Sequence, residues 1–503
     1  MEDNLYSLLK QSAERNTQRT ALEYGKIKLP YSKLILKTDS FAEALKRSGV
    51  KHSDNVAVLL KNSPEFIIAA FACFKIGAVL VPVNFYLTAG EIIYILNDAR
   101  VKVLITSADF ESYFSRIREE VNDFREIIIA GNTDEEEFYD SDGDEVLRED
   151  SAAIFYTSGT TGHPKGAVLT HGNFISNVES CLKVVNISKH DRTLCFLPLF
   201  HSFAFTANLL LPLFSGGCVV LLDRLMRGSR FLSLIFFRRI TIFVSIPQVY
   251  RLFLKVPKLL GRLALLRIRY FISGADCLSE KTLIAFEKKF GKTILEGYGL
   301  TEAAPVVTLN PPGKRKPGSI GKPLPDVEVK VIGEDGEEKE RGEIGELIVR
   351  GGNVMKGYLG LTEATAAVLK GGWLYTGDMG FMTEDGYLTI AERKNDMFVC
   401  RGFNVYPREI ENVLRDIPQV EETAVVGYKL KEETEVPVAF IKTAGSISES
   451  DIVAYCRKRL ANYKVPKKIF FVNDFPRNST GKILKKELRA QLQEFYLALP
   501  PFE

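Results

Sequence analysis

Ala153-Ile154-Phe155-Tyr156-Thr157-Ser158-Gly159-Thr160-Thr161-Gly162-His163-Pro164-Lys165-Gly166 decides how the rest of this chain is read. A short apolar run up to Tyr156 suits a buried strand. Glycines, hydroxyl residues, one Pro and one Lys follow, and then Ala167-Val168-Leu169-Thr170 resumes a strand-like run. Glycines let backbone N–H groups close around an anion, as phosphate-cradling loops require. Thr157, Ser158, Thr160 and Thr161 add hydroxyl donors around Gly159 and Gly162, and Lys165 adds a positive charge on a long stem. A simple hairpin turn needs only two to five such residues. The P-loop pattern is absent, because no Gly-Lys-Ser/Thr follows four spacer residues. Taken alone, the stretch is a candidate polyphosphate loop.

Tyr-Thr-Ser-Gly-Thr-Thr-Gly-x-Pro-Lys-Gly resembles the signature of the acyl-adenylate-forming superfamily, which includes acyl-CoA synthetases, luciferases and peptide-synthetase adenylation domains. Composition agrees with a large globular enzyme. The chain has 503 residues, enough for two or more domains, with 46% apolar and 26% charged residues. A net charge of +3 gives no electrostatic case for nucleic acid. Seven scattered cysteines without a C-x-x-C pair imply reduced thiols. With an acidic N-terminus lacking an apolar run, they point to a cytoplasmic protein. Leu194 to Leu222 is uncharged and long enough to span a bilayer, but Pro198, His201, Asn208, Pro212 and Gly216-Gly217 interrupt it. Strand, turn, buried helix and strand are expected there.

Before the loop, Glu65–Lys75 and Glu91–Asn97 read as helices. Runs at 78–83, 101–106 and 126–130 read as strands, so a parallel, covered α/β sheet is expected. The acidic run 133–150 contains Asp140-x-Asp142-x-Asp144 but has Glu145 where a calcium loop needs Gly, and is read as a solvated loop. After the loop the alternation continues. Thr241–Tyr250 reads as a buried strand, and 327–350 as a small, mostly antiparallel β-subdomain.

Further motifs appear in the order that the resemblance demands. Phe200-His201 matches an aromatic–His pair that the family places beside the acyl pocket and the nucleotide. Phe203, Val244 and Gly299 complete that implied pocket. Ala204 stands where the family usually has Gly. Gly274-Ala275-Asp276 ends a strand with small residues, against which the family sets adenine; Asp276 replaces a usually small residue and either contacts the base or faces solvent. Gly297-Tyr298-Gly299-Leu300-Thr301-Glu302 offers a ring for a purine, a hydroxyl for phosphate and a hard oxygen for Mg²⁺. Asp378 can accept hydrogen bonds from both ribose hydroxyls. Glu392-Arg393-Lys394-Asn395-Asp396 reads as a charged linker from which Arg393 reaches the ribose, with Asn395 at a hinge that is usually Asp or Lys. Gly402 and Phe403 match the segment that borders the CoA channel, and Lys482, on a turn before a helix at 483–496, matches the adenylation lysine.

The resemblance therefore implies a large N-terminal domain, 1–393, of packed α/β sheets plus a β-subdomain, a hinge at 394–396, and a small mobile α/β domain, 397–503. It implies ATP, Mg²⁺ and coenzyme A, with Lys482, Thr301, Glu302 and His201 at the chemistry. A fatty acid is the expected substrate, because Gly402-Phe403-Asn404-Val405-Tyr406-Pro407 is closest to fatty acyl-CoA synthetases. The apolar stretches 194–214 and 231–246 also lack the acidic residue that an amino-acid activator needs. No carrier domain is expected after residue 496. A homodimer and peripheral membrane contact through a lipid substrate are compatible with this reading. The alternatives are a carrier-protein acceptor, an aromatic acid, or a non-catalytic nucleotide-binding regulator.

Overall fold

The computed structural model describes residues 4–131, 145–157, 164–226, 228–393, 396–400, 403–430, 434–477 and 482–497. The chain divides into two compact units: Met1–Leu278 with Thr282–Val329 and Val349–Leu374, and Ser279–Lys281 with Lys330–Ile348 and Tyr375–Glu503. The β-rich stretches 330–348 and 375–393 thus cluster with the C-terminal residues, whereas the sequence reading set them with the N-terminal domain.

Two large sheets build the first unit. One runs, in spatial order, through Gly357–Tyr358, Lys165–Thr170, Ser151–Thr157, Val79–Pro82, Asn55–Leu59, Val103–Thr106 and Glu126–Ile129. Its last five strands are parallel, as the β-branched runs between helices predict. The other has nine strands, parallel from Ile294–Gly299 through Tyr270–Ser273, Ile242–Ser245, Arg192–Cys195 and Cys218–Leu221 to Thr20–Tyr24. Antiparallel strands close both of its edges.

One apolar cluster joins helices and strands of both sheets, including Phe66, Phe71, Phe74, Phe155, Phe174 and Phe205. Helix Pro64–Lys75 lies within it. The Ser63 hydroxyl caps the Phe66 N–H, and Pro64 takes the first turn, where its missing N–H costs nothing. Almost every helix residue is buried, and even Lys75 is held by Asp39 at 2.9 Å.

The uncharged stretch 194–222 forms strand, turn, helix and strand, and no helix among the described residues is long and apolar enough to cross a membrane. Three sequence expectations need correction. The strand beginning near Thr241 stops at Ser245, because Pro247 starts helix Pro247–Leu254. Glu392 and Arg393 are not a free linker but the end of strand Leu388–Arg393, opposite Met379 and Asp378. The C-terminal helix spans Lys485–Leu497, two residues later than its apolar pattern suggested.

In the second unit, strands Val420–Leu430, Thr434–Thr443 and Lys468–Phe471 form one sheet over two small apolar clusters. Glu411 is buried there. Lys485 at 2.9 Å, Arg415 at 3.1 Å and the Val425 N–H hold its carboxyl below the usual range, against the upward push of burial.

Candidate functional site

Strand Ser151–Thr157 pairs antiparallel with Lys165–Thr170, setting Tyr156 opposite Gly166 and Thr157 opposite Lys165. Lys165 is thus the first residue of a strand rather than part of a free loop. The Thr157 hydroxyl reaches its carbonyl at 3.4 Å. Ser158, Gly159, Thr160, Thr161 and Gly162 lie outside the described residues. Gly166 admits no larger residue without rearrangement, since a Cβ would sit 2.7 Å from Ile154 Cγ2.

Strand Gly357–Tyr358 lies on the far edge of Lys165–Thr170, with Tyr358 opposite Ala167. The Lys165 ammonium rests over the Tyr358 ring, 5.3 Å from its centre. The Tyr358 hydroxyl donates to Glu302 Oε1 at 2.8 Å, and the Met355 N–H donates to the Glu302 carbonyl at 2.8 Å. Glu302 sits in the 3₁₀ turn Thr301–Ala303 after strand Ile294–Gly299. The Ser202 hydroxyl donates to the Thr301 Oγ1 at 3.2 Å. Lys165, Tyr358, Glu302, Thr301 and Ser202 therefore form one connected series.

The strand bearing Tyr298 needs its flanking glycines. A Cβ on Gly297 would lie 2.9 Å from the Thr308 carbonyl oxygen, and one on Gly299 only 2.0 Å from that of Pro305. This close approach holds Tyr298, half-buried, beside the turn that carries Glu302.

Ser202 and Phe203 join this series to the ends of the central parallel strands. Gly274 follows strand Tyr270–Ser273, and a Cβ there would meet the Phe203 ring at 2.7 Å. Ala275 adopts the left-handed region at φ +66. Asp276 is neither free nor simply solvated: it accepts from Gln248 Nε2 at 3.0 Å and from the Cys277 N–H at 2.8 Å. On the neighbouring strand Val244 is buried, and its carbonyl accepts from Asn208 Nδ2 at 3.4 Å. Ser245 and Ser273 stand side by side at these strand ends, and neither hydroxyl finds a partner among the described residues. In open α/β sheets ligands bind beyond such ends.

His201 packs on Phe200, with ring centres 4.3 Å apart, and Phe200 meets Phe85 edge-on at 5.1 Å. Burial lowers the His201 pKa to about 4, so the imidazole is neutral at physiological pH. Its Nε2 is buried without a hydrogen-bond partner among the described residues. Immediately after it, Phe205–Leu210 winds as a π-helix, pinned by the Thr206 hydroxyl to the Ala304 carbonyl at 3.1 Å. Such insertions recur at functional sites.

The remaining candidates belong to the second unit. Asp378 is buried in strand Trp373–Met382, directly opposite Arg393, and its N–H donates to the Thr376 hydroxyl at 3.0 Å. Only the backbones of Arg393 and Phe403 are described; Asn395 and Gly402 lie outside the described residues. Lys482 is exposed just before Ile483, which bridges to Arg477. Sequence reasoning missed Tyr358, Ser202 and Gln248. Tyr358 carried one weak signal, an aromatic in the short Gly-Tyr-Leu-Gly turn.

A Mg²⁺ ion needs few protein ligands, because it keeps waters and substrate phosphates. No cluster of three metal-ligating side chains occurs among the described residues. Glu302 fits the sparser arrangement: Tyr358 holds Oε1, and Oε2 takes no hydrogen bond among the described residues.

The AMP-binding enzyme profile matches residues 9–359, and the AMP-binding enzyme C-terminal domain profile matches 409–482. The chain is 36% identical over 483 residues to a feruloyl-CoA synthase of Amycolatopsis sp, covering 95% of this chain and 96% of that one. It is 34% identical over 474 residues to the long-chain-fatty-acid–CoA ligase FadD13 of Mycobacterium tuberculosis, covering 92% and 93%. ATP-bound MatB from Rhodopseudomonas palustris superposes with a TM-score of 0.92 at 31% identity, covering 99% of this chain and all of that one. Both profiles in chain order, with whole-length likeness to acid–CoA ligases, place this chain in the AMP-binding enzyme superfamily as an AMP-forming acid–CoA ligase.

Proposed function

We propose that the acid is a medium- to long-chain fatty acid, activated as acyl-AMP and then transferred to coenzyme A. One observation carries this reading. The segments 194–214 and 231–246, which lead to His201, Phe203 and Val244, contain no Asp or Glu and are largely buried. A hydrocarbon tail loses least by leaving water for such walls.

In the first step a carboxylate oxygen bonds to the α-phosphorus of ATP, and the bond to the β-phosphate oxygen breaks. Both reactants are anions, so positive charge must be in place before they meet. Lys165 holds the departing pyrophosphate, together with the hydroxyls and N–H groups of residues 157–166. Thr301 orients a phosphate, and Glu302, steadied by Tyr358, would hold Mg²⁺, which when bound neutralises phosphate charge. Adenine lies between Tyr298 and the Gly274-Ala275-Asp276 segment, and Asp378 with Arg393 takes the ribose. His201 meets the reacting carboxylate as a neutral imidazole, so it adds polarity without charge. Lys482 serves this step alone. For the second step the domain after a hinge at Asn395 turns, and Gly402 and Phe403 border the CoA arm as its thiol attacks the acyl carbon, the bond to the phosphate oxygen breaks and AMP leaves.

A second reading, an aromatic acid, draws on the Phe85–Phe200–His201 ring cluster, against which a planar substrate would stack. The feruloyl-CoA synthase relative agrees with it. The test is AMP formation with ATP and CoA across a saturated fatty-acid series and a set of cinnamic- and indole-type acids. Rising kcat/KM with alkyl length supports the proposal, preference for the ring acids overturns it, and ADP as product would refute adenylation.

A further inference from the structure

Helix Lys258–Ala264 is packed inside out. Gly261 and Ala264 face the core, where a Cβ on Gly261 would meet the Phe290 ring at 2.3 Å, and Leu265 behind them is fully buried. The larger apolar residues point outward instead: Leu259 is 80% exposed, Leu260 and Leu263 53%, and Leu266 64%. Leu252 on the preceding helix is 52% exposed, and Phe237, 76% exposed, ends helix Ser229–Phe237, which packs against Lys258–Ala264. Single exposed leucines need no explanation, but four within eight residues of one turn and helix do.

Charge singles out the same stretch. From Arg224 to Ala275 the chain carries eleven Lys or Arg and no Asp or Glu, although the whole chain is only +3. Some of these bases are engaged locally: Arg238 pairs with Glu23, Arg269 with Asp191, and Arg262 Nε donates to the Lys289 carbonyl. Lys255, Lys258 and Arg267 are exposed and flank the outward leucines.

We propose that this face docks on a bilayer containing anionic lipid, the leucines entering the headgroup–acyl boundary and the bases meeting lipid phosphates. Both features are needed for such a surface: apolar area supplies depth, and basic side chains with long stems reach back to the headgroups. Nucleic acid would use the charge but leave the leucines in water. The inference does not depend on which acid the enzyme activates.

The test is flotation of the full chain with vesicles of phosphatidylcholine alone, or of phosphatidylcholine and phosphatidylglycerol in equal weight, without ATP, acid or CoA. Binding should favour the anionic vesicles and weaken with salt. Each basic residue near such a surface strengthens binding about fivefold, so the triple variant Lys255→Gln/Lys258→Gln/Arg267→Gln should lose on the order of a hundredfold. Leu259→Ser/Leu263→Ser should abolish the part of the binding that survives high salt. Both variants replace exposed side chains, and unchanged thermal melts would show that they fold. Equal binding to both vesicle types, a triple variant within threefold of the parent, or tighter binding to RNA or an acidic carrier protein than to anionic vesicles overturns the proposal.

Discussion

Replacing Tyr358 by Phe isolates one bond in the centre of the site. The ring remains under the Lys165 ammonium, 5.3 Å away, and the strand pairing with Ala167 is untouched. What disappears is the hydroxyl that donates to Glu302 Oε1 at 2.8 Å. A hydrogen bond to a charged group is worth about 1.5–3 kcal/mol, or roughly ten- to a hundredfold. Here it fixes which way the carboxylate presents Oε2. Glu302 loses that orientation but keeps its charge, so the loss should fall near the lower end, about tenfold. The assay is pyrophosphate release as a function of Mg²⁺ concentration. The Tyr358→Phe enzyme should need about tenfold more Mg²⁺ for half-maximal rate and recover much of its activity at saturation. Glu302→Ala should not recover. An unchanged Mg²⁺ dependence with a lowered maximal rate would refute the positioning role.

The role proposed for Lys482 offers a sharper dissection. Lys482→Ala should slow acyl-AMP formation by about 10²–10³-fold while preformed acyl-AMP and CoA still give thioester, and Gly402→Leu should do the reverse; equal damage to both half-reactions would exclude alternation. Asp378→Asn should weaken ATP more than an analogue lacking both ribose hydroxyls, measured by direct titration, and equal losses would remove Asp378 from the ribose. Stability should fall as pH drops from about 6.5 toward 4, because burial lowers His171 and His201 to about 4 and only the unfolded chain then takes up their protons. Each histidine contributes up to about 3 kcal/mol of that loss, so His201→Phe should flatten the acid limb of a urea-denaturation profile; an unaltered slope would contradict the burial argument.

Local chemistry was readable wherever it is stated by adjacent residues. Parallel strands, the helix from Pro64 and the broken nature of 194–222 follow from periodicity, prolines and glycines, which act within a few residues of themselves. The need for glycine at 297 and 299 was not readable in this way; it shows only in the fold, as distances of 2.9 and 2.0 Å from an added Cβ to a neighbouring carbonyl oxygen. Where the reading failed, packing overrode local signs. Glu392 and Arg393 look like linker because they are charged, yet their backbone completes a ladder against Met379 and Asp378. Charge on a side chain does not prevent its N–H and C=O from pairing.

The sequence by itself determined the kind of chemistry, since a Gly- and Thr-rich loop, a Tyr–Thr–Glu turn and a late lysine each need only their own neighbours to be recognised. The tertiary structure decided which side chains meet. Tyr358 and Glu302 are 56 residues apart, and Ser202 and Thr301 are 99 apart. Asp276, whose role the sequence left open, is occupied by Gln248, 28 residues before it. No periodicity encodes such pairs, because they depend on strand order and on the register in which one edge strand lies beside the next. Helix Lys258–Ala264 depends on tertiary packing in the same way: Gly261 and Ala264 are buried while Leu259, Leu260 and Leu263 face outward, and a Cβ on Gly261 would meet the Phe290 ring.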